Sequence, residues 1–158
     1  LGATTPSFDL EHPIDATYPT SHIDRALVET TLKQFIGDIM QVPPAFSACK
    51  VGGRRAYEMA RKGEEVPLKA KLLRIDEIEL LDASLIGDAP TITLRIVCSK
   101  GTYIRALARD IGLALGSGAH LTALRRTQVG DVRVEDCHRL DDFEQWLAQQ
   151  TIETELPQ

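Results

Sequence analysis

Cys98-Ser99-Lys100-Gly101-Thr102-Tyr103-Ile104-Arg105 is the stretch on which the fold turns. Just upstream, Ile92, Leu94, Ile96 and Cys98 alternate with Thr91, Thr93, Arg95 and Val97, which predicts a strand with one apolar face. Downstream, Ile104, Leu107, Ala108, Ile111 and Leu115 recur at helical spacing and Gly116 follows as a stop, so a helix is predicted over 102–115. Between the two, Gly101 permits a tight turn and Thr102 is the predicted N-cap. Lys100, Tyr103 and Arg105 are then presented from the C-terminal end of a strand and the first turn of a helix. A phenol and a guanidinium held there suit a site for something flat and something anionic. They also suit plainer roles, Tyr103 in the core and Arg105 in solvent, since a helix N-terminus does not favour Arg. The segment by itself leaves both readings open.

Working outward, residues 4–19 are rich in Pro, Asp and Thr and read as a loop. Asp24 caps a predicted helix whose apolar face is Val28, Leu32, Phe35, Ile36 and Ile39, with Gly37 near its end. Pro43-Pro44 makes residues 41–50 irregular. Residues 54–62 read as a short, mostly charged helix stopped by Gly63, so the segment 41–70 is expected to be poorly anchored to a core. Residues 72–81 read as a strand, bulged near Asp76-Glu77 where the apolar alternation shifts phase. Residues 82–90 are a predicted loop. Residues 121–129 and 132–134 flank Gly130-Asp131 and are expected to be two strands joined by a tight turn. A short helix over 141–148 and a polar tail over 151–158 complete the chain. The strands lie too close in sequence for repeated crossovers, so the fold class is mixed α/β (α+β) with a largely antiparallel sheet.

At 158 residues the chain is long enough for one domain with a real core, and its apolar fraction of 43% is ordinary for a soluble globular protein. No apolar run approaches a membrane span and no signal-peptide pattern is present, so no membrane partner is expected. Cys49, Cys98 and Cys137 are far apart and odd in number, without metal-ligand spacing, which points to a reducing cytoplasm and no metal site. The net charge is −5, but it is segregated. Residues 41–74 hold eight Lys/Arg against three Asp/Glu, and residues 94–133 hold seven against two. Clustered basic charge fits a phosphate partner and equally fits a surface of salt bridges between basic and acidic segments.

Three separated blocks carry a family resemblance. They are Cys98–Arg105 with Leu107-Ala108-Arg109-Asp110; Gly118-Ala119-His120-Leu121-Thr122-Ala123-Leu124-Arg125-Arg126-Thr127; and Gln41-Val42-Pro43-Pro44-Ala45-Phe46-Ser47-Ala48-Cys49-Lys50 followed by Gly53-Arg54-Arg55-Ala56-Tyr57-Glu58 and Ala60-Arg61-Lys62-Gly63. In this order and spacing the chain resembles the B-type tRNA pseudouridine synthases, the TruB family, from Leu1 to about Phe143. The resemblance implies the pseudouridine synthase fold, a mixed sheet flanked by helices, with residues 1–150 as the C-terminal portion of the catalytic domain. It implies isomerisation of the T-loop uridine of tRNA to pseudouridine, with the tRNA T stem-loop as partner. Substrate and product hold the same atoms, so no cofactor is implied.

By the same resemblance Arg105 pairs with a nucleophilic aspartate, Tyr103 lies beside the target base, and Leu124 packs against the uracil. Residues 41–70 resemble a thumb loop that closes over RNA. Lys50, Arg54 and Arg61 are its expected phosphate contacts, with Phe46 or Tyr57 stacking or bracing, and Lys100, Arg125 and Arg126 are further expected anion contacts. The family's nucleophile sits in a Gly-Thr-Leu-Asp-type segment that these 158 residues do not contain. It is expected upstream of Leu1, which would leave the chain N-terminally incomplete and inactive alone. Asp9, Asp15 and Asp110 lie outside that motif and read as surface or capping residues. Two other readings stay open: a non-catalytic RNA-binding module of the same fold, and a protein-interaction domain whose charge segregation is structural.

Overall fold

The alternation over Thr91–Cys98 is realised residue by residue as a strand whose Ile92, Leu94, Ile96 and Cys98 turn toward a core. The computed structural model describes residues 1–150, and the tail expected over 151–158 lies outside them. The chain divides into two compact units, Leu1–Ala123 and Leu124–Gln158.

In the first unit, β1 (Ala3–Thr4) pairs antiparallel with β2 (Ala16–Thr17), so the predicted loop carries a short ladder. Helix α1 (Arg25–Lys33) starts where expected: the Asp24 carboxylate accepts the Leu27 N–H at 2.7 Å. Its predicted apolar face extends too far, however. The helix ends at Lys33, Gly37 adopts a φ of 105°, and Gly37–Gln41 becomes strand β3. Ile39 therefore reaches the core from a strand, and Ile36 is exposed. A helix cannot pass through that left-handed glycine, whereas a strand can start from it.

The root of the 41–70 segment is irregular, then Lys50–Val51 (β4) and Arg54–Arg55 (β5) form a hairpin through Gly52 and Gly53, both at positive φ. Helix α2 (Ala56–Ala60) follows, so the expected helix loses its first two residues to a strand. The segment is better anchored than its charge suggested. Pro44, Ser47 and Ala56 are buried, the Ala56 N–H donates to Cys49 O at 2.7 Å, and the Tyr57 N–H donates to Ser47 O at 3.0 Å.

Strand β6 (Lys71–Ser84) outruns its predicted end because pairing with β7 (Thr91–Cys98) continues to Ser84↔Thr91. Its ladder shifts between Ile75 and Glu77, at the predicted bulge, and again between Leu80 and Asp82. The sheet runs in the order β3-β6-β7 and is antiparallel throughout. Helix α3 (Ile104–Ala114) follows the β7 turn. Ile23, Val28, Leu32, Ile75, Leu107, Ile111 and Leu115 form the buried cluster that joins α1 and α3 to one face of the sheet. The opposite face is charged and largely self-paired, Arg74 with Asp38 and Asp76, and Arg95 with Glu77 and Glu79. Gly112 lets the chain cross closely under α3: a Cβ there would lie 2.5 Å from Ala119 N.

In the second unit, Gln128–Val129 (β8) and Val132–Arg133 (β9) form a hairpin around Gly130. The strand predicted over 121–129 is reduced to its last two residues, the only ones there with a ladder partner among the described residues. Leu124, Arg125 and Arg126 are irregular and exposed. Helix α4 (Phe143–Ala148) stacks His138 and Phe143 around Trp146, with ring centroids 4.3 and 5.5 Å away.

Candidate active site

The N-cap of helix α3 falls one residue later than predicted. Tyr103 is its N-cap, with extended backbone and no capping side-chain bond, and Thr102 instead ties the turn by donating to Ser99 O at 2.9 Å. The first-turn arginine escapes the unfavourable helix end by reaching sideways. The Arg105 guanidinium donates to Ser7 O and the Asp9 carboxylate, each at 3.1 Å, and to Phe46 O at 2.7 Å. Three acceptors from two separate segments make this the most heavily bonded arginine of the first unit, and it is mostly buried.

Asp9, read from sequence as a surface or capping residue, does take a local backbone N–H, but it is half-buried and also faces Arg105. Its carboxylate also accepts from Ser7 Oγ at 2.6 Å and from the Glu11 N–H at 2.9 Å. Partial burial pushes its carboxyl up, but those two hydrogen bonds and the Arg105 guanidinium outweigh burial and hold it below the usual carboxylate range. Because the Ser7 hydroxyl proton goes to Asp9, Ser7 Oγ accepts from His12 Nδ1–H, 2.9 Å away. The His12 ring in turn lies 4.7 Å from the Phe46 ring. Phe46 thus braces the 41–70 segment against the Asp9 loop. Phe8 has a φ of 59°, a strained region for an aromatic residue, which turns Ser7 and Asp9 toward Arg105. Its carbonyl is held by the Leu121 N–H and its ring lies under the Arg109 guanidinium.

Above this network lies an open cavity of about 380 Å³ lined by Glu11, Phe46, Ser47, Ala48, Tyr57, Arg61 and Arg105. Arg61 pairs with Glu11 at 3.4 Å and its guanidinium lies 5.5 Å from the Tyr57 ring centre, which favours bracing over free stacking for Tyr57. The structure therefore brings Arg105 and Arg61 to one cavity. Tyr103 is not part of that lining, and Leu124 lies exposed in the second unit. Arg54 donates two 3.0 Å hydrogen bonds to the Glu64 carboxylate, in an exposed pair. Lys50 and Lys100 are exposed on the hairpin and on the turn before α3. Neither they nor Arg125 and Arg126 enter an ion pair among the described residues. Within the described residues no three His, Cys, Asp or Glu side chains cluster as metal ligands, and no helix is long and apolar enough to cross a membrane.

Residues 1–104 match the family model of the TruB family pseudouridylate synthase N-terminal domain, and residues 105–158 match that of the tRNA pseudouridylate synthase B C-terminal domain. The chain is 70% identical over 155 residues to tRNA pseudouridine synthase B of Bacteroides thetaiotaomicron, covering 98% of this chain and 65% of that protein. It is 50% identical over 147 residues to the protein of that name from Flavobacterium johnsoniae, covering 93% and 62%. It thus spans somewhat less than two thirds of the length of these relatives. Among solved structures it resembles a chain of a Cbf5-Nop10-Gar1 complex with a TM-score of 0.54 and 31% identity, over 73% of this chain and 29% of that one. Two family models that meet at residues 104 and 105, together with relatives of this identity, establish that the chain belongs to the TruB family of pseudouridylate synthases.

Proposed function

We propose that this chain forms the Arg105 side of the catalytic pocket of a tRNA pseudouridine synthase acting on the T-loop uridine. The observation that carries the reading is the Arg105 guanidinium, fixed by Asp9, Ser7 and Phe46 in the lining of an open cavity. The reaction breaks the N1–C1′ bond of uridine, turns the base and rejoins it through C5. It needs a carboxylate nucleophile and a base lifted out of its stack. A guanidinium held in a fixed orientation can align such a carboxylate and keep it ionised away from water. In this reading the nucleophile comes from sequence outside these 158 residues, and Asp9 keeps Arg105 aimed. Tyr103 and Leu124 are assigned to the target base by family position. Lys50, Lys100, Arg125 and Arg126, exposed and outside ion pairs, are assigned to RNA phosphate. Arg61 would exchange Glu11 for phosphate when RNA enters the cavity. The whole protein would work in the cytoplasm, where its tRNA substrate is.

The test pairs binding with turnover. The 158-residue chain should bind a T stem-loop RNA, with affinity falling steeply between about 50 and about 200 mM salt, and should form no pseudouridine. Salt-independent binding, or none, would remove the RNA reading and favour a protein-interaction domain. Pseudouridine formed by the chain alone would overturn the placement of the nucleophile. If a protein of the relatives' full length binds this RNA yet forms no pseudouridine, the non-catalytic RNA-binding module is the better reading.

A further inference from the structure

We infer that Gln41 is a positioning residue for Tyr103, an inference that rests on the functional reading above for what Tyr103 does but not for how it is held. Gln41 is the last residue of β3, and although polar it is only 1% exposed. Its side-chain amide makes two hydrogen bonds to a single residue 62 positions away: Oε1 accepts the Tyr103 N–H at 2.9 Å, and Nε2 donates to Tyr103 O at 3.2 Å. A backbone N–H only donates and a carbonyl only accepts, so the amide has one orientation. The contact copies a rung of antiparallel sheet, with a side chain in place of a strand.

Its location gives it a purpose. Tyr103 is the N-cap of α3, where backbone N–H groups have no helical partner, and its own side chain makes no capping bond. Gln41 supplies that partner and fixes the backbone from which the Tyr103 side chain projects. Two residues on, Arg105 emerges from the same turn. The same stretch of chain is stitched to α3 twice more, by Arg109 donating to Val42 O at 2.9 Å and Arg105 donating to Phe46 O at 2.7 Å. The root of the 41–70 segment and the first turns of α3 are thereby locked in one register. Gln41 is the innermost of the three ties and the only one that grips Tyr103.

Two substitutions separate positioning from mere packing. Gln41→Met keeps the length and bulk but can make neither bond. Gln41→Glu makes both bonds when its carboxyl is protonated, because one oxygen then donates and the other accepts, and loses one when ionised. Amide exchange on the 158-residue chain tests the clamp without any activity. In Gln41→Met the Tyr103 amide should exchange at least tenfold faster, with the amides of central strand β6 unchanged. Unchanged exchange at Tyr103 refutes the clamp. Kinetics on the protein at the relatives' full length, with a T stem-loop RNA, test the consequence. Gln41→Met should lower kcat tenfold or more with KM within twofold, and Gln41→Glu should recover toward the unsubstituted protein as pH falls. Faster exchange with unchanged kcat would show that the clamp does not position a catalytic group. If the unsubstituted full-length protein forms no pseudouridine, the functional reading fails while the exchange result still decides the clamp.

Discussion

Replacing Asp9 by Asn removes the charge opposite Arg105 and the acceptor that faces it, since Oδ1 takes the Ser7 and Glu11 bonds and Oδ2 the Arg105 bond. The side chains of Arg105 and Asp9 are 23% and 27% exposed. The pair therefore stands between an open surface bridge, about 0–1 kcal/mol, and a buried one, where loss of a partner costs about 3–5 kcal/mol. Arg105 keeps its carbonyl acceptors Ser7 and Phe46 in this variant, which favours the lower half of that interval, about 1–2 kcal/mol. Arg105→Ala should cost more, about 2–4 kcal/mol, since it strips three acceptors at once. In a double-substitution cycle the coupling should be about 1 kcal/mol. The pH dependence gives a second handle. Asp9 is held below its ordinary range, burial raising it but the bonds from Ser7 and Glu11 and the charge of Arg105 prevailing. A carboxyl depressed in the folded state contributes stability above its unfolded value of about 3.9, and that contribution is lost as pH falls through the folded value. The cost of Asp9→Asn should thus be complete near neutrality and fade in the acid range below about pH 4. Urea unfolding of the four chains across pH measures both. Coupling indistinguishable from zero near neutrality, or a cost of Asp9→Asn that ignores pH, would refute the account of this ion pair.

Gly112→Ala should destabilise by about 1–3 kcal/mol despite alanine's better helix propensity, because the added methyl would meet backbone at Ala119 N and Gly118 C, 2.5 and 2.7 Å away. An unchanged or higher urea midpoint would mean that the 118–119 backbone yields. Asp24→Ala should cost about 1 kcal/mol through loss of the cap on Leu27, and Asp24→Ser should recover most of it. Equal midpoints for the Ala and Ser variants would remove the cap from the account.

The sheet and its helices were legible because their patterns are local. The Ile92–Cys98 alternation, the Leu107–Leu115 periodicity and the Asp24 cap each lie within one element, and the phase shift at Asp76-Glu77 announced its bulge. Where the reading failed, a partner distant in sequence decided. Ile39 belongs to a strand because β6 pairs with it, and residues 121–127 form no strand because they have no ladder partner among the described residues. The site followed the same rule. Arg105 was marked by its motif, but its anchors Asp9 and Phe46 lie 96 and 59 residues away. Asp9 is one acid among several in a polar loop, and only the φ of Phe8 and the direction of Arg105 single it out. Gln41 stood inside a matched block, yet nothing about one glutamine in a sequence shows that its amide grips the backbone of Tyr103.

The central claim is that Arg105 orients a reacting carboxylate through its fixed planar geometry. Its most direct measurement is pseudouridine formation in a T stem-loop RNA by a protein of the relatives' full length carrying Arg105→Lys, with folding checked by its unfolding midpoint. A lysine keeps the charge but cannot span Asp9, Ser7 and Phe46 together. The account predicts that kcat falls by about tenfold or more while RNA affinity and folding are retained. A folded Arg105→Lys protein with near-normal turnover would contradict it.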